Sequence, residues 1–144
     1  MALEVDILAA ARGFGFTAAG IAAAGPARTL DRFQAWLDGG GAAEMGFLRR
    51  YTEQRADLTI LEPGVRSIIV VAARYPTNPS PDRGFSTYAR GQDYHVIIRR
   101  KLEDLLRFIA DRTRVTLYRT CADSVPVLER EWAVRAGVGW RGRQ

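Results

Sequence analysis

Apolar positions recur at helical spacing in five stretches of this chain and run continuously or with β-branched residues in three others. Leu3 to Ala11 reads as a first helix, ended by Gly13 or Gly15, and Phe16 to Ile21 as a short strand. Thr29 to Leu37 groups Leu30, Phe33, Ala35, Trp36 and Leu37 on one side of a second helix, and Gly39-Gly-Gly41 ends it and starts a flexible link. Glu44 to Tyr51 gives a short third helix, with Met45, Phe47 and Leu48 as core positions. Pro63-Gly64 marks a turn before Ser67 to Ala73, an unbroken apolar run expected to form a central strand buried on both faces. Pro76 to Pro81 reads as a surface loop, and Gly84 to Gly91 as irregular chain suited to ligand contacts. The longest helix is expected from Tyr94 to about Arg112, capped by Asp93 and carrying the core stripe Ile98, Leu102, Leu105, Ile109. On its wet face Arg99–Glu103, Arg100–Asp104 and Glu103–Arg107 lie four apart, each pair worth about 0.3 kcal/mol. Val115 to Tyr118 reads as a strand and Val127 to Ala136 as a last helix, with Pro126 in its first turn and Gly137 at its end. The order αβαα–β–α–β–α predicts a layered α/β domain, a mixed sheet with flanking helices.

At 144 residues, with 47% hydrophobic and 26% charged positions, the chain is sized and composed as one globular domain, residues 1–144. No apolar run approaches a membrane span, and Glu4 and Asp6 argue against a signal peptide. Cys121 is the single cysteine, which rules out a disulfide framework within the sequence and suits a reducing, cytoplasmic setting. The net charge of +5 is uneven: residues 1–72 carry −1 and residues 73–144 carry +6. A basic half suggests an anionic partner, nucleic acid above all, although a nearly all-arginine basic set can reflect genome composition alone.

Many chemistries are excluded by what is missing. One histidine and one cysteine on different elements cannot assemble a metal site. Cys121 has no neighbouring base, Ser124 lacks a nucleophile elbow, and there is no phosphate-binding loop. Gly13, Gly15 and Gly20 follow a helix at the wrong spacing for a dinucleotide fingerprint. A carboxylate, arginines and aromatics around a cleft remain. Asp123 stands where a strand hands over to a helix, at the sheet edge where α/β proteins bind ligands; it is either a helix cap or a site acid.

The run Asp123-Ser-Val-Pro-Val-Leu-Glu-Arg130, then Ala133, Arg135-Ala-Gly137 and Gly139-Trp-Arg-Gly142, resembles the signature of epoxyqueuosine reductases. Glu53-Gln-Arg55, Leu61-Glu-Pro-Gly64, Arg66 to Val71 and Tyr88-Ala-Arg-Gly-Gln-Asp-Tyr-His95 extend the likeness, in the family's order, from roughly residue 40 onward. The resemblance implies a cobalamin-binding α/β domain distantly like nitroreductase-type flavodomains. It also implies reductive removal of the epoxide oxygen of epoxyqueuosine at the wobble position of tRNA with a GUN anticodon. Asp123 would be the proton donor; an ordinary aspartate, with a pKa of about 3.9, needs burial against the apolar corrin to be raised into that role. Arg55 would contact the cobalamin through its donor fork, or pair with Glu53 or Asp57 as a surface ion pair. Ser86, together with Asp123, would also approach the cofactor. Tyr88 and Tyr94 would face the cofactor or the core, and His95 would cap or pack. Glu129 and Arg130 would form an ion pair or line a site. Arg90, Arg99, Arg100, Arg141 and Arg143 would contact tRNA phosphate or simply be solvated.

The sequence stops at Gln144, where the family continues into the rest of its cobalamin pocket and a ferredoxin-like domain with two [4Fe–4S] clusters. No C-x₂-C-x₂-C-x₃-C-P run is present. The expectation is an amino-terminal portion, truncated or separately encoded and inactive alone, from a monomeric enzyme that draws on an external electron donor. Two other readings share these residues: a cobalamin-dependent reductase of a non-RNA substrate, like a reductive dehalogenase, and a non-catalytic module that binds cobalamin or tRNA.

Overall fold

The computed structural model describes residues 2–74, 91–114, 118–123 and 125–142. Among them the chain forms α1 (Ala2–Gly13), β1 (Ala18–Ala23), α2 (Leu30–Asp38), a 3-10 turn (Gly46–Arg49), α3 (Thr52–Ala56) and α4 (Leu58–Leu61). It continues through β2 (Ser67–Ala72), α5 (Tyr94–Ala110) and α6 (Glu129–Arg135). The loops expected at 76–81 and 84–90, and Val115 to Leu117 of the expected strand, lie outside the described residues. No described helix is long and apolar enough to cross a membrane.

The α/β character holds, but the sheet differs from expectation. Among the described residues it is a pair, β1 beside β2. Thr17 N–H donates to the Ala72 carbonyl at one end, and Ala24 N–H to the Arg66 carbonyl at the other, so the pair is antiparallel. The site rule for parallel sheet edges therefore does not apply to this pair. Nor is β2 a strand buried on both faces. Ile68 to Ala72 are only partly buried.

Glycines end three helices by one mechanism. After α2, Gly40 turns left-handed at φ +81°, and the N–H groups of Gly40 and Gly41 return to the carbonyls of Leu37 and Trp36. The same pair of bonds closes α1 at Gly15 and α6 at Gly137. Each pair satisfies carbonyls that the helix leaves without partners. Gly39 to Gly41 is thus a closed helix end rather than a flexible link, and a side chain at Gly41 would strike the Trp36 indole. The helix expected from Glu44 to Tyr51 is only the 3-10 turn, while α3 and α4 follow where no helix was expected, and Asp57 caps α4 by accepting from Thr59 N–H at 2.9 Å.

Contacts divide the chain into two compact units: residues 1–19 with 71–123, and residues 20–70 with 124–144. In the first, α1 packs on α5, and Ile7, Ala11, Phe16, Leu105 and Ile109 are buried. Leu105 and Ile109 are the end of the anticipated stripe. Phe14 meets Phe108 edge-on at 6.5 Å. Lys101 donates to the Gly15 carbonyl at 3.1 Å, with its ammonium 5.8 Å from the Phe16 ring centre. The expected ion pairs four apart on α5 do not form. Asp104 is taken instead by Arg107, three residues on, at 3.0 Å.

The second unit is built around Trp132, 1% exposed, with Ala22 and Leu58 buried beside it and Ile68, Val70, Val127 and Ala136 packed against them. Strand and helix approach so closely here that Gly20 admits no side chain: a Cβ would enter the carbonyl oxygen of Ala136. Backbone cannot swing aside as a flexible side chain can, so Gly20→Ala is expected to cost about 2 kcal/mol by overpacking. Urea unfolding should show this as a lower midpoint at unchanged slope; an unchanged midpoint would mean that the close approach relaxes freely.

Candidate functional site

Asp93 sets the first site. Its carboxylate caps α5 by accepting from His95 N–H at 2.9 Å, and the same Oδ1 lies 2.8 Å from His95 Nδ1. The backbone bond from His95, then the bond from its ring, hold the Asp93 carboxyl below the usual carboxylate range. The cap thereby fixes where the first turn of α5 points its side chains. Tyr94 and His95 stack, ring centres 4.0 Å apart at 28°. Tyr94 Oη donates to Asp123 Oδ2 at 2.5 Å, and His95 Nε2 lies 3.9 Å from the same oxygen.

Asp123 is therefore not the cap of α6. The residue preceding α6 is Leu128, and α6 begins without a side-chain cap. Asp123 itself is left-handed at φ +53°, a conformation that aspartate tolerates better than most residues. The resulting cluster of two carboxylates, an imidazole and a phenol can hold a proton and pass it on. Sequence reasoning assigned His95 to capping or packing and did not connect it to Asp123. The available signal was the Asp-Tyr-His run at a helix start, which puts a carboxylate on the imidazole beside it.

Arg55 belongs to the other unit. Tyr51, left-handed at φ +60°, starts α3, and Arg55 sits in its last turn at 9% exposure. It donates to the Arg50 carbonyl and lies over the Phe33 ring, 5.6 Å from its centre. The expected ion pair with Glu53 or Asp57 is not formed, since Asp57 is occupied capping α4. Burial lowers the Arg55 pKa from its ordinary value. A buried guanidinium with only neutral partners among the described residues suits a ligand rich in neutral acceptors, such as the amide oxygens around a corrin.

In the same unit a cleft of about 370 Å³ is lined by Arg32, Phe33, Trp36, Leu128, Arg130 and Arg141, among others. Phe33 and Trp36 stack at 6.1 Å. The structure thus puts Arg141 and Arg130 in this cleft, with Glu129 beside them. Arg99 and Arg100 lie exposed on α5. Ser86, Tyr88, Arg90 and Arg143 lie outside the described residues.

Residues 55–124, which contain Arg55, Ser86 and Asp123, match the family model described as Epoxyqueuosine reductase QueG, DUF1730. A curated epoxyqueuosine reductase from Gloeobacter violaceus is 36% identical over 96% of this chain and 44% of its own length. A solved epoxyqueuosine reductase in complex with an epoxyqueuosine-modified tRNA-Tyr stem loop superposes with a TM-score of 0.83 at 25% identity, over 96% of this chain and 39% of its own. The Bacillus subtilis enzyme, solved with an aspartate-bearing catalytic loop swung out of the active site, gives a TM-score of 0.79 at 26% identity over the same shares. Fold and matches set the chain beside reductases. Its family is that of the epoxyqueuosine reductases, and it corresponds to the amino-terminal portion of their length, spanning about two fifths of each of these relatives.

Proposed function

We propose that this chain supplies the proton donor and part of the cobalamin site of an epoxyqueuosine reductase that converts epoxyqueuosine to queuosine in tRNA. The observation that carries the reading is the grip of Tyr94 on Asp123, within a segment that matches the reductase family. The relative that binds an epoxyqueuosine-modified stem loop supports tRNA as the substrate, and the aspartate-bearing catalytic loop of the B. subtilis enzyme supports Asp123 as the acid. The rest of the machinery, two [4Fe–4S] clusters fed by an external donor, belongs to the remaining length of a full reductase acting in the cytoplasm.

Removing an epoxide oxygen to leave an alkene consumes two electrons and two protons and releases water. Reduced cobalamin, when bound, supplies the electrons. Arg55 would hold it, donating to its peripheral amide oxygens, and Ser86 would approach it. Asp123 gives its carboxyl proton to the oxygen as the C–O bond breaks, while Tyr94 Oη holds Oδ2 and so aims the group. The cationic surface at Arg99 and Arg100, and Arg141 in the cleft, would meet tRNA phosphates.

Arg55→Met tests the cofactor assignment. Replacing the guanidinium by an apolar chain of similar length is expected to change stability little, the loss of the Arg50 carbonyl's donor offsetting relief from burying the cation. The same change should weaken cobalamin binding about 10-fold, followed as the visible spectral change during titration. Equal affinity of the two proteins would remove Arg55 from the site. Absence of any spectral change in either, with tRNA still retained, would favour an RNA-binding module instead.

A further inference from the structure

Each deoxygenation consumes two protons, and the Asp123 carboxyl carries one at a time. We propose that His95 is the relay that reloads Asp123, and that Asp93 is the positioning residue that keeps the imidazole facing it. This inference rests on the reading of Asp123 as the acid.

Asp93 already accepts the backbone N–H of His95, so it cannot turn away without opening the first turn of α5. Its Oδ1 therefore stays 2.8 Å from Nδ1 and favours the proton on that nitrogen. Nε2 is left as the variable position, and it lies 3.9 Å from Asp123 Oδ2. That gap is beyond hydrogen-bond length and closes with a small ring rotation or one bridging water. Stacking on Tyr94 limits the ring to motion in its own plane.

The step balances simply. After Asp123 has given its proton to the leaving oxygen, the carboxylate takes the Nε2 proton of the imidazolium. His95 becomes neutral with its proton on Nδ1, and Nε2 collects another from water. The side chain is 38% exposed, so solvent reaches it. Tyr94 is the rival second donor because it already touches Oδ2. Giving up its proton would leave a phenolate, which is costly near neutral pH for a group that ordinarily ionises at about 10, whereas an imidazole cycles there readily.

His95 is the only histidine in the sequence, so a long-range ¹H–¹⁵N spectrum contains one imidazole. The neutral ring is expected to carry its proton on Nδ1 in the wild-type chain, and to lose that preference in Asp93→Ser, which keeps an N-cap but not the carboxylate. In the complete reductase, His95→Gln should lower kcat about 100-fold, leave KM for tRNA within about twofold, and recover in part with added imidazole. Asp93→Ser should lower kcat about 10-fold, as expected for a residue that acts only by orienting the base. A wild-type ring protonated on Nε2 overturns the proposal. So does full turnover in His95→Gln alongside a dead Asp123→Asn, or a larger loss in Tyr94→Phe than in His95→Gln. Full turnover in Asp123→Asn would instead overturn the acid assignment itself, and the relay with it.

Discussion

Asp123→Asn in the complete reductase should lower turnover about 1,000-fold, the scale of a lost general acid. The amide keeps the size of the carboxyl and can still accept from Tyr94 Oη, so the geometry at Oδ2 survives. What it cannot do is release a proton to an oxygen leaving a carbon. The side chain is 54% exposed, so the substitution leaves no buried polar atom stranded and should not shift the melting temperature. Mass spectrometry of tRNA from cells depending on the variant should find epoxyqueuosine accumulating in place of queuosine. Normal queuosine levels would remove Asp123 from the mechanism.

The largest loss of stability is expected from Glu131→Ala, about 3 kcal/mol. Glu131 is 3% exposed, and its oxygens accept from Arg28 N–H at 2.6 Å, Thr29 N–H at 2.9 Å and Thr29 Oγ1 at 2.7 Å. Arg135 adds a cation at 3.6 Å. Alanine would leave two backbone donors and a hydroxyl without their acceptor. The pH dependence follows from the balance at this carboxyl. Burial pushes its pKa up, but the bonds from Thr29 and Arg28, with Arg135, outweigh burial and leave it below the ordinary 4.5. A depressed folded value means the contribution is complete above about pH 4.5 and disappears as the pH falls through the lower, folded value. The stability gap between wild type and Glu131→Ala, from urea unfolding, should therefore be widest at neutral pH and shrink toward pH 3. A gap independent of pH would assign the loss to packing alone.

What the sequence made legible was local. The Asp93 cap, the Leu105–Ile109 end of the stripe and the glycines that stop α1, α2 and α6 all act within a few residues of themselves. Short-range rules found them for that reason. Arg55 and Asp123 were singled out through the family's blocks, whose order survives without any knowledge of contacts. What failed was long-range or depended on competition. Glu131 meets Arg28 and Thr29 across about a hundred residues, so sequence reasoning passed over it. The link from His95 to Asp123 likewise exists only in three dimensions. Asp57 illustrates competition: spacing offered it to Arg55, but the exposed donors of α4 claimed it first. The apolar run of β2 predicted a strand correctly and its burial wrongly, since an apolar run does not report what packs over each face of a strand.

Lys101 is the sequence's only lysine, and its ammonium is held between the Gly15 carbonyl and the face of Phe16, where α1 ends against α5. An amine-selective reagent or a lysine-specific protease has this one side chain to find, and its ammonium must first let go of the Gly15 carbonyl. The rate of modification there is a clock for release of the end of α1 from α5, in the unit that holds Asp123 and His95. A ligand that slows the clock would reveal itself as stabilising that unit, before any turnover is measured.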